Sequence, residues 1–412
     1  MNPFFLIILV ALTVEYAIDA IADLLNLKSL RAEPPSAVQD IYQPDDYRKT
    51  QEYIRTNTRF ALAASTFHLA VLLSFWFAGG FNYLDRLVTS WGFAPIPTGL
   101  LYIAILALAY NLLTLPFSIY RTFVIEEKFG FNRTTPRTFV LDRIKGLALA
   151  ALLGGALLSG ILALFQYAGY HAWLYCWIAF TIFFLIFEYV APVLLLPLFN
   201  KFTPLEPGEL REAVFTYARY VDFPIKNVFV MDGSRRSTKS NAFLIGFGRN
   251  KRIALFDTLL KKHTVPELIA VLAHEIGHHK KKHIIQNAVL GILHAGIVLF
   301  LLSVFLRSPG LYQAFYMEQP SIYSGLVFFA LLATPLEMVI SLATNALSRK
   351  NEYEADRFAI KTIQHPQHLS EALKKLYADN LSNPVPHPFY VFLNHSHPPL
   401  LQRIEAILRA RA

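Results

Sequence analysis

A chain of 412 residues that is 54% hydrophobic and only 16% charged, with a mean hydropathy of +0.39, is too apolar for an ordinary soluble protein. Its net charge of +9 would suit nucleic acid, but no nucleic-acid motif accompanies it. In a membrane protein such an excess reflects Lys and Arg on cytoplasmic loops. The single cysteine, Cys176, lies inside an apolar run, so an internal disulfide is excluded.

Taken in chain order, apolar runs of about 20 residues, long enough to span a bilayer, lie near 3–24, 60–80, 98–120, 146–167, 172–197, 285–306 and 321–345. They predict about seven crossings. Ala20-Ile21-Ala22 resembles a signal-peptide cleavage site, yet Met1-Asn2-Pro3 carries no basic residue and the run contains Glu15 and Asp19. The first run is therefore read as a retained membrane helix. It sets Glu15, Asp19 and Asp23 on one face, and acidic groups at membrane depth face protein or water rather than lipid. With Asn111, Glu188 and Glu337 in other runs, they predict a bundle around a wet cavity.

Lys and Arg accumulate in the first, third and fifth connections, ending in Lys280-Lys281-Lys282, and are nearly absent from the even-numbered ones. The positive-inside rule then places the N-terminus outside and the C-terminus in the cytoplasm. Four stretches follow: 1–197, five crossings with basic cytoplasmic loops; 198–284, soluble-like; 285–345, crossings six and seven; and 346–412, helices with polar loops. Within the second stretch, Asn227–Asp232 reads as a strand. Asn241–Gly248 and Arg252–Phe256 read as two apolar strands around Arg249-Asn250-Lys251.

The chemistry concentrates in His274-Glu275-Ile276-Gly277-His278, an H-E-x-x-H sequence in a stretch of helical periodicity. Four residues make slightly more than one turn, so both imidazoles stack on one face and can reach one Zn²⁺. Glu275 can lean over the metal's open position and take a proton from water. Five-residue matches also arise by chance, so the motif needs a third ligand to support it.

The best candidate is Glu352. Two crossings separate it from His278, which returns the chain to the side it left. Asp356, one turn further on the same face, can accept a hydrogen bond from a ligand histidine's other ring nitrogen. The bland alternative is a solvated charged helix face, and Glu354 is assigned to it. His279 and His283 read as part of the basic membrane flank, and His68 and His294 as satisfied bundle residues.

At this point the chain resembles the CAAX prenyl protease 1 family of integral-membrane zinc endopeptidases. The resemblance runs through Leu115-Pro116-Phe117, Tyr120 to Asn132, Pro197 to Leu205, Ser240-Asn241-Ala242-Phe243 and the H-E-x-x-H helix. It continues in Ser348-Arg349, Glu352-Tyr353, Ala355-Asp356, His397-Pro398-Pro399 and Arg403-Ile404. H-E-x-x-H is common to many proteases, whereas the first two stretches are much more particular. The resemblance implies a mainly α, polytopic membrane protein: about seven transmembrane helices enclosing a water-filled chamber, with a gluzincin-like zinc protease domain that includes a small β-sheet. It implies His274, His278 and Glu352 as zinc ligands and Glu275 as general base. It further implies that the Asn241-Ala242 strand receives substrate backbone, and that His397 and Arg403 lie beside the site. His397 would then be a donor to the developing oxyanion.

The expected activity is endopeptidase cleavage near the C-terminus of prenylated CAAX-type peptides, in contact with the lipid bilayer and with Zn²⁺ as cofactor. Quality-control proteolysis of membrane proteins, with no prenyl requirement, is the alternative. A transporter or channel with structural zinc is a third reading, disfavoured because structural sites are normally closed by four protein ligands. The sequence leaves a bacterial inner membrane and the endoplasmic reticulum both open, although no retrieval signal ends the chain at Arg409-Ala410-Arg411-Ala412.

Overall fold

The computed structural model describes residues 2–31, 33–40, 42–225, 227–245 and 252–410. Proline suits the first position of a helix, because that N–H has no intrahelical partner and the ring already holds a helical φ. Helices begin in this way at Pro3, Pro44, Pro95, Pro136, Pro309 and Pro388.

The first half is membrane helix. α1 (Pro3–Lys28) and α2 (Pro44–Phe77) are followed by a short amphipathic α3 (Gly80–Thr89), which the hydropathy pattern did not reveal. α4 (Pro95–Tyr120) carries Pro116 inside it and loosens into a π-helical stretch over Arg121–Glu126. α5 (Pro136–Leu149) and α6 (Gly155–Tyr167) form one span through the π-helical Ala150–Gly154. α7 (Ala172–Val190) continues similarly into the one-turn α8 (Leu196–Phe199).

A four-stranded sheet follows, in the order β1 (Phe202–Pro204), β2 (Asn227–Met231), β4 (Arg252–Phe256), β3 (Ala242–Ile245). β2 and β4 are parallel, while β1 and β3 pair antiparallel at the two edges. The described part of the expected Asn241–Gly248 strand, Ala242–Ile245, pairs in register with the expected Arg252–Phe256 strand, Ala242 opposite Leu255. β1 was not expected, because three residues are too few to show a period of two. Residues 246–251, which include the expected turn, lie outside the described residues. α9 (Glu209–Tyr220) sits between β1 and β2, and α10 (Asp257–Lys262) leads from the sheet into α11 (Val265–Lys280).

The chain then re-enters the membrane as α12 (His283–Phe305), turns through α13 (Pro309–Gln313), and returns as α14 (Ile322–Leu332) and α15 (Thr334–Thr362). The last two are bent by 53° at a break beside Pro335. Pro335 has no N–H to continue the ladder, a sufficient cause for the bend. α16 (Gln367–Asp379), α17 (Pro388–Asn394) and α18 (Leu400–Arg409) complete the soluble body.

Among the described residues six helical spans are long and apolar enough to cross a membrane, or seven if the bent α14–α15 pair is one span. A solid bundle would bury a stripe along each helix. Here at most 11% of the most apolar window of any of the six is buried. Most of the surface of these helices is thus left uncovered by protein, available to lipid or water. An aromatic core ties several of these helices together, where Trp76 stacks on Phe315 and Phe315 on Phe328 at centroid separations of 4.7 and 3.9 Å. The soluble body packs around a second core that includes Leu255, Leu268, Leu272, Ile276, Leu373 and Leu400.

Candidate active site

α11 is built to be rigid. Thr264 and Glu267 form a reciprocal capping box, with the Thr264 N–H donating to Glu267 Oε2 at 2.9 Å. Leu268, Leu272 and Ile276 recur every four residues and are buried against the core. That stripe fixes the roll of the helix and leaves His274 and His278 to face the other way. Gly277 is where α15 crosses: a Cβ there would lie 3.0 Å from the Ala355 carbonyl oxygen and 3.1 Å from its Cα. The glycine is thus required by the close approach of the two helices, and that approach brings Glu352 over the histidines.

The three expected ligands meet. Their donor atoms all lie within 4.8 Å of one another. His274 Nε2 and His278 Nε2 are 3.1 Å apart, and the Glu352 carboxylate lies 3.4 Å from the first and 3.2 Å from the second. The far nitrogen of each ring is engaged elsewhere, so each Nε2 can present a lone pair to a cation. Two imidazoles and one carboxylate suit a divalent metal and leave one coordination position open.

The electrostatics agree with that fit. Burial disfavours a charged His274, but Asp356 and Glu352 outweigh it and hold the ring up at about 9. The pocket thus carries more negative charge than its neutral rings balance, a demand that a metal ion meets as well as a proton does. Burial also favours the neutral form of Asp356, yet Arg403 and His274 keep its carboxyl down at about 2. Glu352 is likewise held below the usual carboxylate range, because hydrogen bonds from both histidines overcome the cost of burial. Glu275, between the two histidines, keeps part of its surface accessible, and burial pushes its carboxyl up.

Asp356 meets His274 as the spacing suggested: His274 Nδ1 lies 2.9 Å from Asp356 Oδ1. Arg403 clamps that carboxylate through Nε and Nη2 at 2.9 and 2.6 Å, and its Nη1 approaches Glu352 at 3.3 Å. His397 is exposed on the loop before α18, with Nε2 at 3.2 Å from Glu352. Arg349 holds that loop by donating to the His395 carbonyl at 2.6 Å. Ser240, Asn241, His397 and Arg403 line a cavity of about 670 Å³, which Asn26 of α1, Tyr53 of α2 and Arg121 also border. The cavity therefore joins the site to the membrane helices.

Ala242 opens the edge strand, with exposed Asn241 one residue before it. Two supports of this strand escaped the sequence reading. The Asn380 side chain accepts from the Ser240 N–H at 3.0 Å and donates to the Ser240 carbonyl at 3.1 Å, pairing with the backbone as a strand would. Lys239 pairs with Glu126 at 3.0 Å, donates to the Tyr53 hydroxyl at 2.8 Å and lies 4.5 Å from the centre of the Phe131 ring. The Arg121–Asn132 motif thus braces the approach to the strand.

His283 and Glu354 depart from expectation. His283 is buried beneath His278 rather than lying on a solvated flank, and Glu354 faces it at 3.4 Å. Neither has a local signal, because a five-residue gap across a helix break has no fixed period. His294 pairs with Glu337 at 3.0 Å, and His68 is packed among Phe67, Tyr110 and Phe117.

Comparison with known proteins agrees with this geometry. Residues 23–201 match the CAAX prenyl protease N-terminal model, described as five membrane helices, and residues 204–411 match peptidase family M48. The chain belongs to the CAAX prenyl protease 1 family of M48 peptidases. It is 38% identical to the probable CAAX prenyl protease 1 of Schizosaccharomyces pombe, over 92% of this chain and 82% of that protein. It is 33% identical to the Saccharomyces cerevisiae CAAX prenyl protease 1 (90% and 88% covered) and 32% to the human homologue (90% and 88%). The crystal structure of Saccharomyces mikatae Ste24p superposes with a TM-score of 0.93 at 31% identity, over 99% of both chains. The protein is therefore a multi-pass membrane metallopeptidase acting on peptide or protein substrates.

Proposed function

We propose that this protein is a zinc endopeptidase that cleaves near the C-terminus of CAAX-type peptides, with prenylation assisting rather than being indispensable. The observation that carries the reading is an edge strand, β3, whose lead-in residues Ser240 and Asn241 line the cavity that reaches the His-His-Glu cluster through His397 and Arg403. An extended peptide added to that edge is held by main-chain hydrogen bonds, which fix the scissile amide and read little of its sequence. Zn²⁺ held by His274, His278 and Glu352 would polarise the scissile carbonyl and acidify the attacking water. Glu275 accepts the water's proton as the nucleophile adds, then returns it to the leaving amine. Its raised pKa suits the return as well as the removal. His397 donates to the oxygen that becomes negative, and Arg403 keeps Asp356 and Glu352 ionised and oriented. The site and the C-terminus face the cytoplasm in this reading, which the excess of Lys and Arg in the odd-numbered loops supports.

A second reading, cleavage of damaged membrane proteins threaded as extended chains, is favoured by the same strand edge, since nothing in it recognises a lipid. Purified protein given a farnesylated CAAX peptide and its unfarnesylated counterpart separates the two. We expect both to be cut, the farnesylated one at higher kcat/KM. An intact unfarnesylated peptide would establish a strict lipid requirement and remove the second reading.

A further inference from the structure

An imidazole that binds a metal through Nε2 must keep its proton on Nδ1, and the group accepting that proton's hydrogen bond fixes both tautomer and ring orientation. For His274 this group is Asp356, itself held by Arg403. His278 has no carboxylate there. Its Nδ1 lies 3.1 Å from Nδ1 of His283, and His283 Nε2 lies 3.4 Å from Glu354 Oε2.

The protonation pattern along this chain has one self-consistent solution. With His278 Nε2 turned to the metal, its Nδ1–H donates to His283, so His283 Nδ1 carries a lone pair. The His283 proton then sits on Nε2 and donates to the Glu354 carboxylate. The backbone is shaped to make the contact. α11 ends at Lys280, Lys282 takes a left-handed φ of 61°, and His283 starts α12 beneath the metal-facing helix. The two rings meet edge-on, with centroids 5.1 Å apart and planes at 72°. His283 is 4% exposed, so water competes poorly for its Nδ1. Lys350, one turn before Glu354 on α15, approaches that carboxylate at 3.9 Å.

We propose that His283 and Glu354 are positioning residues that hold His278 in its metal-binding tautomer, doing for the second histidine what Asp356 and Arg403 do for the first. The inference rests on the His-His-Glu metal site proposed above. It adds that the first residue of a membrane helix is part of that site's support. His283 touches no substrate, so its loss should weaken the metal without altering peptide binding.

The test is metal retention, with activity as a companion. Full-length protein loaded with Zn²⁺ is challenged with a fluorescent chelator, and the rate of zinc loss is followed. His283→Phe, which keeps a ring of similar size but offers no acceptor, should raise that rate by about 10- to 100-fold. His283→Asn should recover most of the loss, because its amide oxygen can stand where Nδ1 stood. Glu354→Gln, still an acceptor, should change the rate less than Glu354→Leu. KM at saturating zinc should stay at the parent value in all four. A Co²⁺-loaded sample reports the same distortion in its visible spectrum, which general loosening of the fold would not alter selectively. Parent-like zinc loss in both His283→Phe and Glu354→Leu would overturn the inference while leaving the site intact. A parent protein that binds no zinc would overturn the underlying site, and this proposal with it.

Discussion

At the residue scale the site is two imidazoles whose far nitrogens are committed elsewhere and one carboxylate whose charge is protected. Arg403 is central to that protection, because it is buried and bonds both Asp356 and Glu352. Arg403→Leu leaves two carboxylates buried without their cation, a cost of about 3–5 kcal/mol. It should lower thermal stability and weaken metal binding together, whereas Arg403→Lys should recover part of the stability and little of the bidentate geometry. Asn380→Ala removes both of its bonds to Ser240, each worth about 1 kcal/mol. Because that pair fixes the start of the edge strand, the variant should raise KM several-fold while retaining its metal. An unchanged KM would mean that the strand holds its position without the clamp. His274 with His278, and Glu352 with Asp356, were readable from sequence because each pair is one helical turn apart, and Glu275 because it adjoins the first histidine. The meeting of Glu352 with the histidines was readable because two crossings return the chain to one side. Asn380 and His283 were not, because their contacts cross between elements and leave no period.

At the element scale α11 carries the most consequence. Leu272 is buried in its core stripe, and Leu272→Ala should cost about 2–5 kcal/mol. Glu267 supports the helix start differently. Burial raises its pKa, but Lys375 at 2.6 Å and the Thr264 N–H more than reverse this, so the folded value is depressed. A depressed carboxylate adds stability at pH values above its unfolded pKa and loses it as pH falls through the folded one. Glu267→Gln should therefore melt lower than the parent near neutral pH, by about 1–2 kcal/mol of stability. The two melting temperatures should converge as the buffer is taken below the ordinary glutamate range, and a gap constant with pH would contradict this. The long elements were legible because their apolar runs and caps repeat over several turns. β1 and α3 were not: one is too short to alternate visibly, and the other resembles a connecting loop between two spans.

At the scale of the whole molecule, two helices longer than a bilayer requires join the membrane to the chemistry. α2 is 34 residues and α15 is 29, about 50 and 45 Å at 1.5 Å per residue. α15 leaves the membrane to carry Glu352 and Asp356 onto α11, so crossings six and seven must return the chain to one side. A reporter fused after Ala412 and a tag inserted between Lys261 and His263 should both read as cytoplasmic. Finding them on opposite faces would contradict the pairing of Glu352 with the histidines. The number of spans and the sorting of basic loops are visible in sequence, since both follow from composition. A wet interior between the helices is hinted at by Glu15, Asp19, Asp23, Asn111, Glu188 and Glu337. A polar residue in an apolar run marks an interior without giving its size.

The most direct test of the central claim is the zinc content of purified protein measured beside its peptidase rate, for the parent, Glu275→Gln and Glu352→Ala. The parent should hold about one Zn²⁺ per chain. Glu275→Gln should keep the zinc and lose activity by about 10²- to 10⁴-fold, because it lacks only the base. Glu352→Ala should lose zinc and activity together. Peptidase activity surviving in Glu275→Gln, or zinc retained at parent affinity in Glu352→Ala, would contradict the assignment of these residues as base and ligand.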